Sequence, residues 1–526
     1  MSLQPVEQGA SDAIDAGTGE SSQSATLLRK IFGRHLMDMA LLLLIIVAFS
    51  GLRAPEHLLS DPDIWWHLAD ARILTTTHQF IRVEPYSFTV AGYRWVNPEW
   101  LSEIPYWLGY QSFGLVGIYL VTLLGLSANV FFLYWRGRFK FGNAGVALWM
   151  AALGFVLMWV NASARTIVIS YLALSAEMAI LEAVERGRTR LLWLLPPLFC
   201  VWINLHGSWI IGIAILVLYI ACGLVRANAG VFRQEPFSAA DRNRLFAVLS
   251  MSVAALFVNP YGWRLLWNPI DMAVNQKLNI GFVVEWQPLN LGWFVGKAAF
   301  VSIALMVIAN ALNGRKWKIY EFALVFFAWY AAFNHARFTF LAAILTVPIL
   351  GADLTRCFFP VSEQKTIPAM NALIAIGAIC VVAWYFPTEV KMQSGFATDM
   401  PLQLVASIQP GWRTLNQEHI GGIMDFNSKS TFIDTRWDTF EHHGVMQDLI
   451  DILHSRDSLR LLDKYRIDHV ILRKEEPLIY LLERTPGWKV VRTEGSGHDE
   501  YELIERVNAN AAGPAGCATK VLGPNS

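Results

Sequence analysis

The stretch GLVGIYLVTLLGLSANVFFLYW, from Gly114 to Trp135, holds no charged residue and is followed at once by Arg136, Arg138 and Lys140. An apolar run of roughly 18 residues or more crosses about 30 Å of hydrocarbon as a helix. Short cytoplasmic loops retain Lys and Arg, so the basic end of the run faces inward. The pattern recurs outward in both directions, and eleven spans are expected: 36–52, 114–135, 144–161, 166–184, 191–205, 208–225, 245–260, 293–312, 319–334, 338–355 and 369–386. The composition agrees: 54% of the 526 residues are hydrophobic and only 16% charged, against about a quarter charged in soluble proteins.

Every second loop carries a basic run. These are Arg29, Lys30 and Arg34; Arg136, Arg138 and Lys140; Arg186, Arg188 and Arg190; Arg226, Arg233, Arg242 and Arg244; Arg315, Lys316 and Lys318; and Arg356 with Lys365. The alternate loops are longer in total and poorer in Lys and Arg, which predicts a cytoplasmic N-terminus and, after eleven spans, a C-terminal segment outside. Residues 1–28 lack an apolar core and read as a disordered cytoplasmic leader. Cys200, Cys222, Cys357, Cys380 and Cys517 show no paired spacing, which speaks against a disulfide framework or zinc site. A formal net charge of zero argues against nucleic acid as a partner.

The polar motifs gather on the side away from the basic loops. The outer loop 53–113 is far longer than a helix connection needs, and long ordered loops usually carry function. It opens with Ser60-Asp61-Pro62-Asp63-Ile64-Trp65-Trp66-His67-Leu68. Asp63 is expected to cap a short helix, with Asp63, His67 and Asp70 on one face and the tryptophans lying on the membrane surface. Asn97-Pro98 is expected to start a second interfacial helix bearing Glu99 and Glu103 one turn apart. Later outer connections carry Asn161 to Arg165, Asn204-Leu205-His206-Gly207-Ser208, Asn259 to Arg264, Glu285-Trp286-Gln287 and Asn334 to Phe338. Singly, each reads as a helix end satisfied by a local side chain. Together, Arg165, Arg264 and Arg337 with His206, facing a loop rich in carboxylates, read as an anion site opposite a base.

Downstream, residues 387–506 are expected to form a small α/β extracytoplasmic domain. Strands are expected at Thr431–Thr435, His469–Arg473 and Lys489–Arg492, and helices near 445–465 and 475–485. Asp434 and Arg436 are expected to hold a turn, and residues 507–526 to be disordered.

These residues resemble the GT-C superfamily of polytopic membrane glycosyltransferases, which use polyprenyl-phosphate sugars. The resemblance rests on the layout of the chain, on Asp61-Pro62-Asp63-Ile64-Trp65-Trp66-His67-Leu68 and on Asn204-Leu205-His206-Gly207. The Trp-Trp-Asp-Tyr-Gly signature of oligosaccharyltransferase catalytic subunits is absent, which speaks against transfer to asparagine. The resemblance implies a mainly α transmembrane bundle (29–386), a polyprenyl-phosphate sugar donor, and a glycan, lipid or protein acceptor reached from the periplasmic face of a bacterial inner membrane. It makes Asp63 and Asp61 the catalytic carboxylates, with a divalent cation (Mg or Mn) held by the pair as an open option. Arg165, His206, Arg337, His67, Glu99 and Asn204 become candidate donor-binding residues. A transporter or flippase of a lipid-linked or polar solute is the alternative. It predicts charges toward both membrane faces and interrupted helices in two related halves. A non-catalytic envelope assembly protein is a third reading.

Overall fold

The computed structural model describes residues 38, 40–42, 44–46, 61–359, 368–393 and 400–507. The expected leader, most of the expected first span, Arg53, Lys365 and the tail beyond Val507 with Cys517 lie outside these residues. Ten of the eleven expected spans coincide with helices, from Trp100–Phe141 to Pro368–Tyr385. Five helical stretches are long and apolar enough to cross a membrane: Trp100–Phe141, Ala144–Asn161, Ile167–Val184, Phe294–Asn313 and Ala336–Cys357. Shorter apolar helices such as Trp209–Gly223 and Ile319–Asn334 pack beside them.

The helix expected after Pro98 and the span expected from Gly114 form one element, Trp100–Phe141, broken at Phe113 and Gly114. Gly114 takes φ 60°, ψ −140°, a conformation open to glycine and costly for other residues. The break frees the backbone N–H groups of Leu115 and Val116. Both donate to the Glu389 carboxylate, at 3.2 and 3.0 Å, so a side chain from the segment just beyond helix Pro368–Tyr385 caps the span. The half before the break carries Glu103 into the interior.

At the basic end the helices are tied by charge. Arg136, 1% exposed, donates to Glu182 at 2.9 Å. Lys140 lies 3.8 Å from Glu182 and 3.7 Å from Glu321. Arg315 pairs with Glu321 and, at 2.9 Å, with Asp353. The sequence reading placed no polar groups in this half beyond the loops, and the structure corrects it. The acids lie singly within apolar helices, where periodicity gives no sign of their partners. These closed pairs neutralise each other and join four helices, as buried charges must.

A short hairpin pairs β1 (Ala227–Ala229) with β2 (Phe232–Gln234), and C-terminal to the bundle a four-stranded sheet holds, in spatial order, β3 (Thr414–Asn416), β4 (His469–Arg473), β6 (Tyr501–Arg506) and β5 (Trp488–Glu494). β3 and β4 run parallel and the other neighbours antiparallel. Thr431–Thr435, expected as a strand, makes only a single bridge, from Thr431 to Ser87. Side chains hold it instead: the Ser87 and Thr89 hydroxyls donate to the Phe432 carbonyl at 3.1 and 2.7 Å, and the Asn416 amide accepts the Phe432 N–H at 2.9 Å and donates to the Ile433 carbonyl at 2.7 Å.

Helix Glu418–Phe426 lays this unit against helix Asp63–Thr77. A Cβ on Gly422 would stand 2.6 Å from the Pro62 carbonyl oxygen, inside van der Waals contact with backbone that cannot swing away. Gly422→Ala is therefore expected to destabilise the protein by about 1–3 kcal/mol through overpacking, read as an earlier midpoint in denaturation of the detergent-solubilised chain. An unchanged midpoint would show that the two helices can part without cost.

Candidate active site

The Pro62 turn sets the start of helix Asp63–Thr77. Asp63 does not cap it, contrary to expectation, because it is already the first helical residue. Asp61 takes that place, its Oδ1 accepting the Asp63 N–H at 3.2 Å. Its Oδ2 accepts the Ser163 hydroxyl at 2.9 Å and an ion pair from Arg165 Nε. Asp61 is thus fully engaged and 6% exposed, while Asp63 is left facing a cavity of about 380 Å³.

That cavity collects residues from seven separate parts of the chain. Asp63 and His67 come from helix Asp63–Thr77, Glu99 from the following loop, Arg165 and Thr166 from one connection and His206 from another. Glu285, Trp286 and Arg337 come from two more. Glu418, His419, Thr435 and Asp438 reach in from the C-terminal unit. Trp65 and Trp66 do not lie on a membrane surface: they are 3% and 7% exposed. Trp65 packs 5.4 Å from the Phe426 ring, and Trp66 stacks 3.6 Å from His67.

On one side stand the cations. Arg165 pairs with both Asp61 and Glu285. Arg337 holds Glu285 at a looser 3.6 Å and lies 4.1 Å over the Trp286 ring, so its fork retains donors for an incoming anion. Arg264, expected with these two, lies 6.0 Å over the neighbouring Trp263 ring and does not line the cavity.

Opposite them is a carboxylate and imidazole cluster. Glu99 receives the Thr166 hydroxyl, lies 3.2 Å from His206 Nε2 and 3.4 Å from His67 Nε2. His206 Nδ1 accepts the Ser208 N–H at 2.9 Å, which assigns its remaining proton to the nitrogen facing Glu99. Burial, with Arg337 and Arg165 nearby, pushes His206 down to about 3, and burial pushes His67 down to about 4. Both are neutral donors at physiological pH, so His206 is not the cation the sequence suggested. Behind them, Asn97 joins Glu103 at 2.8 Å to Asp70 at 3.1 Å, and Tyr86 donates to Asp70 at 2.6 Å. Glu103, placed by the sequence on an interfacial helix, is 1% exposed. Asn204 stands outside the cavity, accepting from the Trp100 indole at 2.9 Å and donating to the Val258 carbonyl at 3.0 Å.

Burial, with the Asp61 carboxylate beside it, pushes the Asp63 carboxyl up to about 7 against the pull of Arg165. Burial likewise pushes Asp438 up to about 6. A carboxyl with these properties, facing a cavity, is suited to proton transfer at neutral pH.

The donor set does not fit a divalent cation at Asp61 and Asp63. Both Asp61 oxygens are taken, one by a guanidinium, and Glu285 is held between two arginines. Among the described residues no three His, Cys, Asp or Glu side chains converge as a metal site. Arginine occupies the place where a metal would neutralise these carboxylates.

An apolar groove of about 500 Å³ leads away from the cations. It shares Arg165 and Glu285 with the cavity and is walled by Trp159, Val160, Val283, Val284, Trp293 and Phe294.

No family profile and no curated protein sequence matches the chain. Solved structures do. The oligosaccharyltransferase of Archaeoglobus fulgidus in its apo form superposes with a TM-score of 0.54 at 11% identity, over 84% of this chain and 70% of that one. The same archaeal enzyme, AglB, in complex with an inhibitory peptide and a dolichol-phosphate, gives a TM-score of 0.55 over the same shares, also at 11% identity. ArnT from Cupriavidus metallidurans bound to undecaprenyl phosphate gives 0.50 at 15% identity, over 91% of this chain and 98% of that one. The likeness shows that this chain shares the fold of these proteins, a bundle of apolar helices followed by a small sheet region at its C-terminal end.

Proposed function

We propose that the protein is a membrane glycosyltransferase that moves a sugar from a polyprenyl-phosphate carrier to an acceptor hydroxyl on a glycan, lipid or protein at the periplasmic face of a bacterial inner membrane. One observation carries the reading: a half-buried carboxyl, Asp63, and a loosely paired arginine, Arg337, share one cavity, and an apolar groove opens from its cationic side.

In this reading the groove takes the prenyl chain and the phosphate meets Arg337, with Arg165 fixed beside it. The acceptor enters between helix Asp63–Thr77 and the Thr435 to Asp438 turn. Asp63 accepts the hydroxyl proton as the acceptor oxygen bonds to the anomeric carbon, and the polyprenyl phosphate departs with the electron pair of the broken bond. A single displacement inverts the configuration. The arginines stabilise the charge that grows on the leaving phosphate. Asp61 serves by orienting Arg165 and the first turn of the helix. The ion-paired donor set supports a mechanism in which arginines carry the positive charge.

The test is transfer by the purified chain in nanodiscs, from radiolabelled polyprenyl-phosphate sugars to extracted envelope acceptors. No transfer with any donor, alongside movement of labelled lipid between leaflets, would favour the flippase. The base must be ionised to act, so the rate should rise with pH through about 7 and then level off. A flat profile between pH 5.5 and 8.5 would remove Asp63 from the role. The outer loop and the C-terminal unit share the cavity, so they lie on one side of the membrane. A reporter fused after Arg506 is expected to be active only in the periplasm, and a cytoplasmic signal would reverse the assigned orientation.

A further inference from the structure

A second cavity, of about 480 Å³, lies at the basic end of the bundle, opposite the proposed active site, and has no part in the transfer chemistry. Helices Ile167–Val184, Trp209–Gly223 and Ile319–Asn334 meet there beneath the hairpin of β1 (Ala227–Ala229) and β2 (Phe232–Gln234). Its floor is apolar and aromatic. The Tyr219 and Tyr320 rings meet edge to face at 4.7 Å, and Phe237 stands 5.2 Å from Tyr219.

Buried hydroxyls normally find an oxygen acceptor. Tyr219 is 3% exposed, and among the described residues its hydroxyl has no hydrogen bond; Tyr320, 6% exposed, reaches only the Met178 sulfur at 3.9 Å. Two phenol donors therefore line one cavity with no oxygen hydrogen-bonded to either among the described residues. Arg233 lines the same cavity and has no ion pair among the described residues. Three donors, one of them cationic, call for an anionic oxygen group such as phosphate. The rim also carries acid: Glu185 pairs with Lys318 at 3.0 Å, Glu235 with Arg226 at 3.4 Å and Asp241 with Arg244 at 3.0 Å. Each of these carboxylates keeps oxygen lone pairs beyond those its cation uses, so a ligand that carries an ammonium beside its phosphate can join them where a purely anionic one cannot.

We propose that this cavity binds the head group of an aminophospholipid. The phosphate is held by Tyr219, Tyr320 and Arg233, the primary ammonium by the Glu185, Glu235 and Asp241 rim, and the first acyl carbons by Leu192, Leu245 and Phe237. The site stands at the end of the spans, at the level where basic pockets between transmembrane helices meet lipid head groups.

Native mass spectrometry of the delipidated full-length chain, titrated with phosphatidylethanolamine, phosphatidylglycerol, phosphatidylcholine and free phosphoethanolamine, tests the assignment. Phosphatidylethanolamine is expected to bind about tenfold or more tighter than the other three. Phosphatidylglycerol lacks the ammonium, phosphatidylcholine cannot donate from its quaternary nitrogen, and the free head group lacks the acyl anchor. Tyr219→Phe with Tyr320→Phe keeps both rings and should weaken binding about tenfold or more, because hydrogen bonds to a charged group are lost. Arg233→Ala, on the exposed rim where folding is not at stake, should do the same. Equal affinity for phosphatidylglycerol or for free phosphoethanolamine, or full binding by the Phe pair and by Arg233→Ala, would overturn the proposal.

Discussion

Replacing Asp63 with Asn is expected to abolish transfer, lowering the rate by about 10²- to 10⁴-fold, while the protein folds and inserts as before. The asymmetry follows from the state of the group. Asp63 is half-buried and raised to about 7, so its neutral form is populated near neutral pH, and an amide has the shape of that form. The substitution removes the ability to accept a proton without leaving a new buried charge. Asp61→Asn is a useful contrast: it takes the charge from a carboxylate that Arg165 pairs with and that Ser163 and the Asp63 N–H donate to. It should lower activity and stability together. The measurement is single-turnover transfer beside a denaturation midpoint for each variant. Wild-type turnover by a well-folded Asp63→Asn protein would show that another group takes the proton.

Much of this arrangement is legible in the sequence because a membrane imposes a simple rule. Apolar length sets the spans and basic loops set their alternation, so ten helices fall where hydropathy places them. The first-loop carboxylates and the arginines of the outer connections stand out because polar groups near a bilayer are expensive. Asp63, Glu99, Arg165, His206 and Arg337 do converge, although they span most of the bundle in sequence. Local sequence is silent about burial of the loop itself. Trp65 and Trp66 look like surface groups until the C-terminal unit covers them, and that cover is decided by contacts more than 300 residues apart, such as Arg72 donating to the Phe426 carbonyl at 2.8 Å. The same distance hides Glu418, His419, Thr435 and Asp438 as cavity residues. Glu285 is visible only as part of a short polar motif, and its place between Arg165 and Arg337 needs three connections to be brought together.

The clamp that makes this cover permanent is Arg436, and Arg436→Ala is expected to be the most destabilising single change, by about 3–5 kcal/mol. Its guanidinium, 3% exposed, holds Asp434 at 2.5 Å and Glu84 at 2.8 Å, and sits 4.7 Å over the Trp95 ring and 5.2 Å over that of Tyr86. Glu84 in turn accepts the backbone N–H groups of Tyr86 and Ser87 at 2.8 and 2.9 Å. One side chain therefore joins the outer loop, the C-terminal turn and the aromatic wall. Alanine there would strand two carboxylates in an interior without water, and the protein must protonate them or open. The loss should be largest at high pH, where protonation is hardest, and should shrink as pH falls. Combining Arg436→Met with Asp434→Asn and Glu84→Gln removes the stranded charges and should recover part of the stability, since replacing a whole buried ion cluster costs less than removing one partner. Thr435 and Asp438 flank Arg436, so the single variant should also lose transfer activity even when Asp63 is intact. A single variant with an unchanged midpoint would mean that packing alone, through helix Glu418–Phe426, seats the C-terminal unit on the catalytic loop.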